Sequence, residues 1–136
     1  MDKAAFILDS YQFTKAILDF EIPENSTLDI KMVPSGKLYQ TLGKYELSFQ
    51  VIVFCIENDS EVVNIECRAT FGFNSSIKIE NIPDFFYPNS LAIIFPYVRA
   101  FVSTLTLQAN IRPVILPTVN LVGLTNKLKD NTIIAD

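Results

Sequence analysis

The stretch from Asn89 to Ile111, NSLAIIFPYVRAFVSTLTLQANI, holds one charged residue, Arg99, in a chain that is 19% charged overall. Ile94, Val98, Phe101, Val102, Leu105 and Ala109 recur at helical spacing, and Pro96 suits a first turn, so the pattern predicts a helix with its body at 97–109. The face turned away from the apolar stripe reads Arg99, Ser103, Thr106 and Asn110. A freely solvated helix carries Lys and Glu there, whereas small hydroxyls let a second helix approach and still find hydrogen bonds. The expectation is a helix covered twice, by its own sheet and by another copy, with Arg99, Ser103 and Thr106 at the oligomer interface. Arg99 should then find a carboxylate or carbonyls, because an unpaired buried charge is very costly.

Working outward, the period changes to two. Tyr45, Leu47, Phe49, Val51 and Val53 alternate with polar Glu46, Ser48 and Gln50, and after the turn signal NDS the run VVNIECRATFGF resumes the alternation, which predicts a long antiparallel hairpin. LDIKM, from Leu28 to Met32, reads as a half-buried strand ending near PSG. FTKAILDFEIP reads as an edge strand stopped at Pro23. Downstream of the helix, RPVILPTVN has two prolines five positions or fewer apart and reads as an extended connection, followed by a short helix from about Leu121 to Leu128. Strands first and helices last define an α+β fold, an antiparallel sheet with helices packed on one face, in a single domain spanning 1–136.

Composition bounds the chemistry. At 49% apolar, with 11 Phe and 5 Tyr and a mean hydropathy of +0.28, the chain carries more hydrophobic surface than one small core hides. A net charge of −4 with 11 scattered Lys and Arg disfavours a nucleic-acid surface. There is no histidine, so the commonest general base and metal ligand are both missing. Cys55 and Cys67 have no ligand spacing and read as buried small hydrophobes, so neither a metal nor any other cofactor is expected. Asp19, Glu21, Glu57, Asp59 and Glu66 form no nucleophile–base pair and accompany no Gly-rich phosphate loop, which argues against an enzyme. Pro96, Arg99, Ser103, Thr104, Thr106 and Gln108 argue against membrane insertion of the apolar run, and the start MDKAAFILDSYQF lacks the character of a secretory signal, so the expected compartment is the cytoplasm.

Three short motifs occur in order: Pro88-Asn89, then Phe95-Pro96-Tyr97-Val98-Arg99, then Pro117-Thr118-Val119-Asn120 closing the proline-bearing connection. With FTKAILDFEIPENS upstream and Glu66 seven residues before Phe73, the chain resembles the SecB export-chaperone family from about Tyr11 to Leu128. The resemblance implies a four-stranded antiparallel sheet, a long helix, a crossover loop and a second helix, assembled as a homotetramer that is a dimer of dimers. It implies ATP-independent holding of unfolded or nascent polypeptide clients in hydrophobic grooves. The groove positions would be Tyr39, Leu42, Val114, Ile115, Leu116, Leu121, Leu124 and Leu128.

The family's export branch meets the SecA motor through an acidic surface, to which Glu21 and Glu66 correspond. Ile17 and Asn64 stand where that pattern has Asp and Leu, and NLVGL stands where Asn-Phe-Asp-Ala-Leu is usual, so SecA as a partner and an antitoxin from a toxin–antitoxin pair both stay open. An oligomer that binds a small apolar ligand is the alternative from a different class.

Overall fold

The computed structural model describes residues 5–117 and 121–136, without the side chain of Leu121. The elements are β1 (Phe6–Leu18), β2 (Leu28–Tyr39), β3 (Lys44–Cys55), β4 (Glu61–Phe73), α1 (Phe86–Gln108), α2 (Leu121–Asp130) and β5 (Thr132–Ile134). The sheet order is β1-β4-β3-β2-β5, antiparallel throughout except that β5 lies parallel to β2. The sheet is therefore five-stranded and mixed, which corrects the four-stranded antiparallel expectation. β2 also runs through Pro34-Ser35-Gly36, where the sequence suggested it would stop. Gly36 is tolerated in mid-strand because the ring of Tyr45 lies across the space a Cβ would fill.

The period-two reading of the hairpin is sound. Tyr45, Leu47, Phe49, Val51 and Val53 on β3, with Ile65, Cys67, Ala69 and Phe71 on β4, form one buried face. β1 keeps its apolar side chains on that face through two irregularities, after Leu8 and after Phe13. The two bulged residues turn their side chains onto the neighbouring strands: Asp9 pairs with Lys44 at 2.6 Å, and the Thr14 hydroxyl donates to Glu66 Oε1 at 2.8 Å.

Against this face lies α1, which begins about ten residues earlier than the spacing alone indicated and carries Pro96 in its interior. Pro88 falls in the first turn, where a missing N–H costs nothing, and Pro96 falls on the exposed side, where the unpaired carbonyl one turn back is open to water. Phe86 anchors the helix edge-on to Tyr45 and to Phe6, each at 4.7 Å between ring centroids. Further along, Tyr97 stacks on Tyr11 at 4.4 Å and Phe101 on Phe13 at 4.0 Å, which ties the edge strand to the helix. By length and composition α1 could cross a membrane, but Leu91, Ile94, Val98 and Val102 are buried against their own sheet, as in the core helix of a globular fold.

The helix ends in a left-handed cap. Asn110 has φ +59°, its N–H donates to the Leu107 carbonyl, and the N–H of Ile111 reaches back to Thr106. The same turn corrects the assignment of Thr106 to an interface between copies. Its hydroxyl is fully buried, donates to the Val102 carbonyl and accepts from the Val114 N–H at 3.0 Å, clamping the crossover segment onto the helix.

Two measurements test this packing. Thr106→Val keeps the shape but leaves the Val114 N–H buried without an acceptor, and should cost about 1–3 kcal/mol in denaturant unfolding, while Thr106→Ser should cost much less. Both cysteines are buried and unpaired, and burial pushes the Cys67 thiol up to about 11. At pH 8 iodoacetamide should therefore label Cys67 only as the protein unfolds, with a denaturant midpoint matching that of the fold.

Candidate client-binding surface

The crossover after α1 is extended, and its side chains alternate: Val114 and Leu116 point into the core, and Ile115 points out, 63% exposed. Pro113 and Pro117 restrict the backbone on either side. Arg112 secures the start of the segment by donating to the Ser26 carbonyl at 3.0 Å. The Thr106 clamp secures Val114. Ile115 is thus presented between neighbours that are anchored by hydrogen bonds.

An apolar cleft lies on each side of this strip. The first, of about 510 Å³, is bounded by Pro96, Ala100, Ser103 and Leu107 of α1 and by Pro113 and Ile115, with Arg99 on its rim. The second, of about 600 Å³, lies between β2 and α2, with Ile30, Met32, Phe54, Pro117 and Leu124 as walls and Lys127 and Asp29 at its edge. The carboxylates held below their ordinary range are elsewhere: Glu57 by the Thr27 N–H, and Asp136 by the N–H groups of Thr41 and Gln40. Among the described residues no group of His, Cys, Asp and Glu could hold a metal ion. What these clefts offer is apolar contact.

The expected groove residues divide. Ile115 and Leu124 line the clefts, one exposed and the other nearly buried. Leu116 and Leu128 are fully buried and Val114 nearly so, which returns them to the core. Their apolar character fits a groove as well as a core, and only the side of the backbone they occupy distinguishes the two. Tyr39 and Leu42 sit at the far end of β2, about 23 Å along the strand from Met32, and reach neither cleft. The side chain of Leu121 lies outside the described residues.

Arg99 is exposed on the rim and pairs with no carboxylate among the described residues of the single chain, and Ser103 is half-buried beside it. Glu66 is engaged within the sheet by Thr14 and by Arg68 at 3.3 Å, while Glu21 is exposed. Sequence reasoning missed Leu107, Ala100 and Pro96, although with Ile93 they form a second neutral stripe at helical spacing. It also missed Ile30 and Met32 as cleft walls, because it assigned them only to a strand face.

No family model matches the chain. An uncharacterized protein of Methanocaldococcus jannaschii is 48% identical over 62 residues, 44% of this chain and 40% of that protein, so the matched part is less than half of either. Among solved structures, a SecB-like chaperone of Mycobacterium tuberculosis, in complex with a ChAD peptide from the HigA1 antitoxin, superposes with a TM-score of 0.69 over 85% of this chain and 88% of that one, at 14% identity. The chain therefore has a SecB-like fold.

The burial difference between the two cleft residues gives a direct check. Ile115→Asp should change stability by no more than about 0.5 kcal/mol, whereas Leu124→Asp buries a carboxylate without a partner and should lower the melting temperature sharply.

Proposed function

We propose that this protein is a SecB-like holdase that keeps unfolded polypeptides from aggregating by laying them across the crossover strip and its two clefts, without ATP. The observation that carries the reading is the outward Ile115, held between two prolines with Leu107 beside it, both 63% exposed. A side chain of this size contributes ~1.5–3 kcal/mol when fully buried and less in an open cleft, so useful affinity requires several contacts along one client. Such contacts need no sequence code. Sites left this open suit a polymeric client better than a small ligand, which would be enclosed in a cavity.

An antitoxin segment is a client of the same chemistry, and the SecB-like fold bound to an antitoxin peptide favours it as a physiological partner. Export with SecA is the less supported role, because Ile17 and Asn64 depart from the family's acidic surface and Glu66 is engaged within the sheet. Assembly in this reading is a homotetramer of about 61 kDa, four times the 15.3 kDa chain. The other copy would cover Ile93, Tyr97 and the neutral α1 face down to Ser103, and with it the upper part of the first cleft, so that a client meets the end formed by Leu107, Pro113 and Ile115. Leu107 lies about 21 Å along the helix from Ile93 and stays accessible to a client. The working compartment is the cytoplasm.

The test takes two readings on one sample. Light scattering should give the tetramer, and the protein should suppress aggregation of a chemically denatured, unrelated client. Leu107→Asp combined with Ile115→Asp should keep the melting temperature and the mass but lose most of the protection. A folded, assembled double variant that protects as well as the parent would overturn the assignment of the strip as the client site.

A further inference from the structure

The strand after α2 is absent from the sheet expected from sequence, and the holdase reading does not use it. β5 pairs with β2 over three positions, Gly36, Lys37 and Leu38 opposite Thr132, Ile133 and Ile134. Besides that short ladder, its attachments are hydrogen bonds gathered at its two ends. At one end the Gly36 N–H donates to the Asn131 carbonyl at 3.3 Å, and Asn131 Nδ2 donates to the Pro34 carbonyl at 3.2 Å. There the Thr132 hydroxyl donates to the Leu128 carbonyl at 2.7 Å, so the phenol of Tyr45, 2.6 Å away, is the donor to Thr132. At the other end the Ala135 N–H donates to the Leu38 carbonyl at 2.9 Å, and the Asp136 carboxylate accepts from the N–H groups of Gln40 and Thr41. Between these ends Ile133 and Ile134 remain 56% and 46% exposed. A segment held by exposed backbone bonds with little apolar burial opens far more readily than the core.

Among the described residues β5 is the sole strand on the outer edge of β2, and it covers only 36–38. Toward Leu28 the edge runs along the second cleft, whose walls include Ile30 and Met32. There the Ile30 N–H is met only by the carboxylate of the adjoining Asp29, at 2.8 Å, which an incoming carbonyl could replace. The edge accepts a strand at 36–38, as β5 demonstrates, and presents apolar walls beside Ile30 and Met32; between the two, buried Pro34 offers no N–H and its carbonyl accepts from Asn131.

We propose that β5 is a displaceable internal occupant of this edge, and that an unfolded client lying in the second cleft pairs with β2 and extends along it by expelling β5. The inference rests on the holdase reading. A client strand paired from Leu28 reaches Pro34 after about six residues, ~20 Å, and from there competes with residues 131–135 for the backbone groups of Gly36 and Leu38. Short apolar segments bind with β5 in place; longer ones require its release.

The test locks the strand. Lys37 and Ile133 are opposite in register and both exposed, and neighbouring strands lie ~4.8 Å apart, within reach of a disulfide. In the variant Lys37→Cys with Ile133→Cys, oxidation should lower the affinity for a long denatured client by about tenfold, and reductant should restore it, as expected when the competent state is removed. Equal holding by the oxidised and reduced forms overturns the displacement of β5 and leaves the holdase reading standing. Holding by neither form overturns both. The unmodified protein supplies an independent reading: hydrogen exchange at the Ala135 amide should accelerate when a long client binds, and unchanged protection there overturns the proposal.

Discussion

The side chains of Tyr45, Leu47, Phe49, Val51 and Val53, with those of Ile65, Cys67, Ala69 and Phe71, make a continuous apolar face that has to be covered. At 23 residues α1 is about 35 Å long, enough to cover most of the ~40 Å hairpin, and Phe86 fixes where it starts by wedging among the rings of Tyr45, Phe71 and Phe6. From that docking the rest follows. The edge strand β1 bulges after Leu8 to keep Phe6, Tyr11 and Phe13 all against the helix, and again after Phe13 to keep Ala16 and Leu18 on the same face, and the end of α1 is delivered to the point where the chain has to return over β2.

In the proposed function, that return is where burial gives way to exposed apolar surface. A crossover packed entirely inward would add to the core and offer a client nothing, and one packed loosely would cost ordering free energy each time a client bound. Thr106 resolves this by fixing Val114 through its N–H, so that the alternation of an extended chain places Leu116 in the core and Ile115 outside it. The clefts on either side are preorganised by the same clamp. The exposed apolar side chains are thus held by buried hydrogen bonds, which lets a hydrophobic surface persist without collapsing onto its own protein.

Under the proposed function the protein must also avoid becoming an aggregate. β2 has an outer edge beside an apolar cleft, the kind of surface that recruits other chains, and β5 covers the stretch of it from Gly36 to Leu38. Its hold is weak because it pairs over three positions and leaves two isoleucines largely in water. Protection against unwanted pairing and availability to a client are then set by one equilibrium.

Much of this was legible in the residues. The period of two in β3 and β4 and the charge-poor helix identified the fold class, because burial on one face imposes a repeat that composition cannot hide. The motifs around Pro88, Phe95 and Pro117 pointed to the SecB-like architecture. Other features depend on three-dimensional packing. Pro96 reads as a helix start, yet lies mid-helix because its side faces water. Thr106 reads as a surface hydroxyl, yet is buried because the crossover folds back over it. Leu116, Ile115 and Leu128 are equally apolar on paper, and only the direction in which the backbone turns each side chain decides which is core and which faces outward. β5 had no sequence signal at all, since three residues are too few to show a period, and it forms because Gly36, Leu38 and Gln40 present their backbone groups along an edge that α2 brings within reach.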